Sequence, residues 1–271
     1  MRIKDQVAMI TGGGSGIGEA VARELAHRGA RRVMLVDRSP QAVELAAQIN
    51  QEAGREVAEA LIGDVTSESF RVACFDQVIA RHGVPTICVP AAGITRDALS
   101  VKVDKDTGQV SVYPRETFEM VLSVNLTAPV YWALETVARI AADRRARGIG
   151  KWEPSEDMQG VIVFIGSVSS QGNKGQISYA ASKAGLEGVA ATLGKEAIFY
   201  GVRCAVIHPG FTDTPMVRAM GEEIIQKHVL PYTQLKRLIK PEEIADAICF
   251  LVSNPAVSGE LWADAGWHPP A

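Results

Sequence analysis

Cysteine is scarce in this chain. The four present, Cys74, Cys88, Cys204 and Cys249, are widely separated, form no C-x-x-C pair and have no histidine at metal-ligand spacing. A zinc-finger type of site is therefore not indicated, and no metal ligand set is predicted. Cys88, Cys204 and Cys249 each sit in an apolar run and read as buried small hydrophobes. Long hydrophobic runs are also missing. No stretch approaches the roughly 20 apolar residues needed to span a bilayer, and the start, Met1-Arg2-Ile3-Lys4-Asp5, lacks a signal-peptide core. A cytoplasmic protein with no membrane partner is expected. Charge of one sign is lacking too: 28 Lys and Arg against 31 Asp and Glu leave a net charge of −3, which makes no case for nucleic-acid binding. The short basic clusters Arg31-Arg32 and Arg144-Arg145-Ala146-Arg147 read as solvated loop or helix ends. No internal repeat, low-complexity tract or interdomain linker interrupts the chain. With 271 residues, 47% of them hydrophobic and 22% charged, it suits one α/β domain over 1–271.

What is present is an alternation of strand and helix. Residues 7–11 (VAMIT) are an apolar run followed at once by Gly12-Gly13-Gly14-Ser15-Gly16-Ile17-Gly18. A helical period then ends at Gly29, and a second apolar run ends on Asp37. This βαβ unit lets a glycine-rich turn bring backbone N–H groups to a pyrophosphate at the positive end of a helix. Asp37, 19 residues after Gly18, stands where an acid can accept hydrogen bonds from the ribose hydroxyls of an adenine dinucleotide. Helices are predicted over 40–53 and 67–82, and strands over 56–62, 86–89, 161–167, 202–208 and within 259–266. Gly63-Asp64-Val65, Pro90-Ala91-Ala92-Gly93 and Pro209-Gly210 each follow a strand. Strands alternating with helices predict a doubly wound parallel sheet whose ligands bind beyond the strands' carboxyl ends. Two insertions stand out, a hairpin within 98–114 around Asp106-Thr107-Gly108 and a polar excursion over 143–159. A long helix over 116–142 carries Asn125. Residues 211–240 read as a loop with one short helix near 220–228, and 241–253 as a helix opened by Pro241.

Within the helix that ends near Tyr200, Tyr179 and Lys183 are four residues apart, so they share a face. An ammonium beside a phenol favours the phenolate, so Lys183 is expected to depress the Tyr179 pKa from about 10. Such a tyrosine can give and take a proton near neutral pH. By itself the spacing fits an exposed tyrosine with a lysine snorkelling past it equally well.

In chain order, Thr11-Gly12-x-x-x-Gly16-x-Gly18, Asp37, Gly63-Asp64-Val65, Ala91-Ala92-Gly93, Asn125, Ser167, Tyr179-x-x-x-Lys183 and Pro209-Gly210 resemble the short-chain dehydrogenase/reductase family over nearly the whole chain. Gly93-Ile94-Thr95-Arg96-Asp97, Gly172-Asn173-x-Gly175-Gln176, Pro209-Gly210-Phe211-Thr212-Asp213-Thr214 and Val257-Ser258-Gly259-Glu260 are similar to its 3-oxoacyl-[acyl-carrier-protein] reductase branch and that branch's acetoacetyl-CoA reductase relatives. The resemblance implies a single Rossmann-type domain with a seven-stranded parallel sheet. It also implies hydride transfer between a nicotinamide and a secondary alcohol or ketone, in 3-oxoacyl thioesters among others, and a catalytic tetrad of Asn125, Ser167, Tyr179 and Lys183. Tyr179 would move the proton, Ser167 would hold the carbonyl oxygen, Lys183 would bind the ribose, and Asn125 would anchor a water. Gly12, Ser15, Gly16, Ile17, Gly18, Asp37, Asp64, Val65, Ala92, Gly93, Tyr179, Lys183, Pro209, Gly210 and Thr212 would contact the cofactor. Asp37 would repel a 2′-phosphate, so NAD(H) is expected over NADP(H), although Arg38 could pair with a phosphate.

The chain departs from the family pattern in two places. Pro90 stands where the family has asparagine and lacks its side-chain bonds. The Ser167–Tyr179 spacing is one residue shorter than the common one, which leaves Ser169 and Ser170 as competitors for the serine role. Residues 94–100, 168–176 and 211–230 should line the substrate, with Ile94, Leu99, Gln171, Phe211, Met216, Val217 and Met220 forming a mostly apolar wall and Arg96 and Lys174 available to an anionic arm. A homotetramer packed through the helices 116–142 and 178–200 is the family's assembly. The opposing reading is a non-catalytic dinucleotide sensor of the same fold, which has no physical need to hold the four tetrad residues together.

Overall fold

The computed structural model describes residues 1–267; the predicted domain span of 1–271 runs past them by residues 268–271, which lie outside the described residues. Seven strands make one parallel sheet: β1 (Val7–Thr11), β2 (Arg32–Asp37), β3 (Ala58–Ile62), β4 (Ile87–Pro90), β7 (Gly160–Ile165), β8 (Val202–Pro209) and β9 (Gly259–Ala263). Their order is β3-β2-β1-β4-β7-β8-β9. β5 (Val101–Val103) and β6 (Val110–Val112) pair only with each other, antiparallel, as the hairpin expected within 98–114. Asp104 closes its turn by accepting the Asp106 and Thr107 backbone N–H groups.

The apolar strand runs follow from burial of both sheet faces. Alternate residues face opposite sides. Ala8, Ile10, Val33 and Leu35 meet α1 (Gly16–His27), α2 (Gln41–Ala53) and α9 (Pro241–Ser253). Met9, Met34, Ile162, Phe164 and Val206 meet α3 (Glu68–His82), α5 (Ala128–Ala146) and α6 (Ile177–Ala197). Among the described residues no helix is long and apolar enough to cross a membrane. Cys74 joins the three other cysteines in burial, and all four are free.

The helix expected over 116–142 is broken. α4 (Arg115–Leu122) passes through a π-helical turn, Ser123–Thr127, before α5 begins. There the Ala128 N–H reaches back to the Ser123 carbonyl. Pro129 has no N–H to offer the carbonyl of Asn125 four residues before it, so the regular ladder cannot continue through this point.

α5 also runs to Ala146, into the segment expected as a polar excursion. Arg144 is not the solvated residue its cluster suggested. It is 1% exposed, forks onto Glu156 at 2.7 and 3.1 Å, and donates to the Gly150 carbonyl at 2.9 Å. A guanidinium can be buried there because a bidentate carboxylate and a carbonyl satisfy its N–H groups. The 211–240 segment holds two helices rather than one, α7 (Pro215–Arg218) and α8 (Glu222–His228).

Candidate active site

At the carboxyl edge of the sheet the glycine turn is packed against its neighbours. Gly12 has φ of 65°, and a Cβ on it would lie 2.7 Å from the Ala92 backbone. A Cβ on Gly18 would lie 2.1 Å from the Gly12 carbonyl oxygen, so the start of α1 can abut the turn only as glycine. The turn opens into a cleft of about 650 Å³. Gly12, Ser15, Gly16, Ile17 and Gly18 line it at one end, Asp37, Asp64 and Val65 along the side, and Ala92, Gly93, Tyr179 and Lys183 at the other. Asp37 is fixed by two backbone N–H groups, Gly14 on Oδ2 and Ser39 on Oδ1, each at 2.9 Å. Each carboxylate oxygen keeps a lone pair for a ribose hydroxyl. The Thr66 backbone N–H and hydroxyl hold the Asp64 carboxyl below the usual range, with Arg38 adding to the effect. These residues fit an adenine dinucleotide: a bare backbone cradle beside a helix N-terminus, followed by an anchored acid.

Pro90 ends β4, and the turn after it is tethered from the opposite side. The Thr11 carbonyl and hydroxyl accept the Ala91 and Ala92 N–H groups at 3.0 and 3.2 Å. β1 therefore supplies the bonds that a side chain at position 90 cannot.

A second, smaller cavity of about 80 Å³ adjoins the cleft and is lined by Ser167, Ser169, Gln176, Gly210, Phe211, Met216, Val217 and Met220, together with Thr95, Asp97, Val168 and Tyr179. Tyr179 and Met216 are the two residues that line both spaces. All three segments expected to surround the substrate contribute. Leu99 and Gln171 do not line this cavity and face solvent, while Ile94 and Arg96 line the larger cleft.

The four tetrad residues converge on this junction. Asn125 is fully buried in the π-helical turn, and both ends of its amide are committed. Its Oδ1 accepts the Ile94 N–H and its Nδ2 donates to the Ile94 carbonyl, both at 2.8 Å. Lys183 is buried and donates to the Ile165 carbonyl at 2.8 Å, with Nζ 5.5 Å from the centre of the Tyr179 ring. Ser167 is buried, and its hydroxyl accepts the Ser169 N–H at 3.1 Å. Of the competing serines, Ser169 reaches the cavity and Ser170 does not.

One expectation is corrected here. Lys183 does not set the Tyr179 pKa in this geometry. Burial pushes the phenol up, opposed by the Ser167 hydroxyl beside it and reinforced by the Asp97 charge. Burial also lowers Lys183, to about 8. The ammonium is turned to the Ile165 carbonyl, so desolvation dominates both groups.

Thr212 is also placed differently. It is buried and donates to the Gly210 carbonyl at 3.1 Å, while Thr214 faces the cleft instead. Pro209 is buried at the end of β8, and Gly210 lines the smaller cavity.

Two residues near Tyr179 had no role assigned from sequence. Tyr113, just after the hairpin, brackets the approach to α6. Its hydroxyl lies 2.6 Å from the Arg96 carbonyl and 2.9 Å from the Ser178 hydroxyl. Gln176 donates to Asp97 at 2.8 Å, closing the wall beside Tyr179. Gln176 had a signal, its place in a family-like motif three residues before Tyr179, which says nothing about orientation; Tyr113 had none.

The short chain dehydrogenase family model matches residues 6–224. A 3-oxoacyl-[acyl-carrier-protein] reductase of Pseudomonas aeruginosa is 35% identical, covering 94% of this chain and 93% of its own. A (3R)-3-hydroxyacyl-CoA dehydrogenase of Canis lupus familiaris is 30% identical over 94% of this chain and 92% of its own. A 2,3-dihydro-2,3-dihydroxybenzoate dehydrogenase of Bacillus subtilis is 33% identical over 94% and 91%.

Proposed function

The chain belongs to the short chain dehydrogenase family, and from that premise we propose that it reduces a 3-oxoacyl thioester with NAD(H), using Tyr179 as the proton donor. At the coarser level it is an NAD(P)(H)-dependent oxidoreductase acting between CH–OH and keto groups. The observation that carries the finer reading is the position of Tyr179, the phenol at the junction of the long cleft and the smaller cavity. A bound nicotinamide supplies or accepts the hydride. Tyr179 gives its proton to the carbonyl oxygen during reduction and takes it back during oxidation. Its upward-shifted pKa keeps it protonated at neutral pH, which suits reduction. Ser167, whose hydroxyl lies beside the phenol, orients the same oxygen. Lys183, which lines the cleft, would bind the ribose and is mostly charged below its pKa of about 8. Asn125 acts by holding the Gly93–Ile94 strip against the cleft.

NAD(H) over NADP(H) is supported by the anchored Asp37 carboxylate, which would face a 2′-phosphate across the cleft. The thioester is supported by the apolar wall of Phe211, Met216, Val217 and Met220 and by the relatives named as acting on 3-oxoacyl and 3-hydroxyacyl groups. A cyclic diol is the competing substrate, favoured by the dihydroxybenzoate relative. Exposed Met120, Tyr131, Leu134 and Ile177, on α4, α5 and α6, support a homotetramer joined through those helices. Free thiols suit the cytoplasm.

Absorbance at 340 nm with acetoacetyl-CoA and with a cyclic diol panel tests the substrate. Turnover of the thioester with NADH, lost in Tyr179→Phe while NADH binding by fluorescence persists, is the expected result. Unchanged turnover in Tyr179→Phe refutes the proton assignment, and turnover of the diols alone refutes the thioester.

A further inference from the structure

We propose that Glu187, His208 and Glu260 bind one divalent transition-metal ion of the zinc class. They come from three elements, α6, β8 and β9. Glu260 pairs with Val206, two residues from His208, so the two side chains share the sheet face that α6 covers. His208 is 0% exposed, and its Nε2 has no hydrogen-bond partner. That nitrogen lies 3.4 Å from Glu260 Oε2 and 3.9 Å from Glu187 Oε1, and the three atoms are all within 4.8 Å of one another. Among the described residues, no lysine or arginine pairs with either carboxylate.

Two carboxylates and a buried imidazole nitrogen therefore meet with no lysine or arginine between them, an arrangement that suits a cation. Ligand atoms each about 2.1 Å from a shared ion stand roughly 3–4 Å apart. The separations of 3.4 and 3.9 Å fall in that range. They exceed the about 2.7–2.9 Å of charge-assisted N–H···O bonds. His208 Nδ1 lies 3.3 Å from both the backbone N–H and the carbonyl of Ser167; in the tautomer that donates to the carbonyl the Nε2 lone pair is free, the arrangement that orients a metal-bound histidine. Trp262 stacks on the imidazole at 4.1 Å and 12°, which fixes the ring plane. One nitrogen with two oxygens suits zinc or cobalt better than magnesium or calcium. Glu260 is exposed and Glu187 half-buried, so an ion enters from solvent and completes its coordination with water. Once bound, the ion fastens edge strand β9 to β8 and to the helix that carries Tyr179.

The test uses the full chain stripped with EDTA, then loaded with Zn²⁺ or Co²⁺ and freed of excess ion. Metal content by mass spectrometry, the Co²⁺ visible spectrum and Tm with and without Zn²⁺ are the readouts, none of which depends on catalysis. Replacing buried His208 threatens folding, so Glu187→Gln and Glu260→Gln carry the comparison, with far-UV circular dichroism to show that they fold. The expected result is about one zinc per chain in the wild type, a Tm raised by zinc but not by magnesium, and at least about tenfold weaker binding in each variant. Zinc absent from the wild type, or retained equally by both variants, overturns the proposal.

Discussion

Replacing Asn125 with alanine tests how the π-helical turn supports the site. The side chain is fully buried and makes two 2.8 Å bonds to the backbone of Ile94, one through each end of its amide. Alanine removes both and leaves the Ile94 N–H and carbonyl partly buried without protein partners. A net hydrogen bond contributes about 1 kcal/mol, and an unsatisfied buried group costs about 1–3 kcal/mol. Water reaching the cleft wall recovers part of that, so Asn125→Ala should lose about 2–4 kcal/mol. In a chain of this size that lowers Tm by roughly 5–15 °C. The loss is measured by urea unfolding followed by tryptophan fluorescence, with slope and midpoint fitted together. The functional effect should appear as a raised KM for the dinucleotide, because the loosened Gly93–Ile94 strip lines the cleft. Asn125→Asp should behave differently. It keeps the acceptor for the Ile94 N–H and places a charge near the Lys183 ammonium, raising the lysine pKa. A stability change below about 0.5 kcal/mol in Asn125→Ala would refute the reasoning, since it would mean the two bonds exchange freely with water.

Three further outcomes are expected. Gly18→Ala should fail to bind dinucleotide and unfold early by thermal scan, because its Cβ would sit 2.1 Å from the Gly12 carbonyl and two backbone segments would have to part; a normal Tm and normal binding would contradict this. Asp37→Asn should lower the NADH preference in kcat/KM by about tenfold or more, as the fixed negative charge facing a 2′-phosphate is removed; an unchanged NADH to NADPH ratio would count against it. Burial pushes Cys74, Cys88, Cys204 and Cys249 up to about 12 from 9.0. Their folded pKa values lie above the unfolded ones, so the stability they contribute is complete below pH 9 and is lost as pH rises from 9 towards 12, by up to about 1.4 kcal/mol per thiol per unit. Urea midpoints at pH 8 and pH 10 check this, and equal midpoints would show that the thiols are not shielded.

The parts of the site that were legible in the sequence are those written by neighbours in the chain. Strand, Gly12–Gly18 and α1 are contiguous, and the one backbone approach that needs Gly18 is to a residue only six positions earlier. Tyr179 and Lys183 share a helix face by period alone. The apolar strand runs fixed which residues end on the carboxyl edge, because a parallel sheet covered on both faces admits few other patterns. Much less could be read of what each group does once placed. Nothing local to Asn125 showed that its amide would hold the backbone of Ile94, 31 residues away in sequence. Thr212 and Thr214 differ by two positions and by which way the chain turns after β8, and only the second faces the cleft.

The sequence by itself determined the family, the βαβ dinucleotide cradle, the acid at Asp37 and the order of the seven strands along the chain, because these depend on short-range period and turn chemistry. The tertiary structure decided the protonation tendencies of Tyr179 and Lys183, since desolvation is a property of everything packed around a group and no local motif encodes it. It decided that Arg144 is a buried ion-pair partner of Glu156, that Thr11 tethers the turn after Pro90, and that Tyr113 straps the hairpin to α6. It also brought Glu187, His208 and Glu260 together from α6, β8 and β9. Each of these is a meeting of residues far apart in the chain, set by sheet register and helix packing.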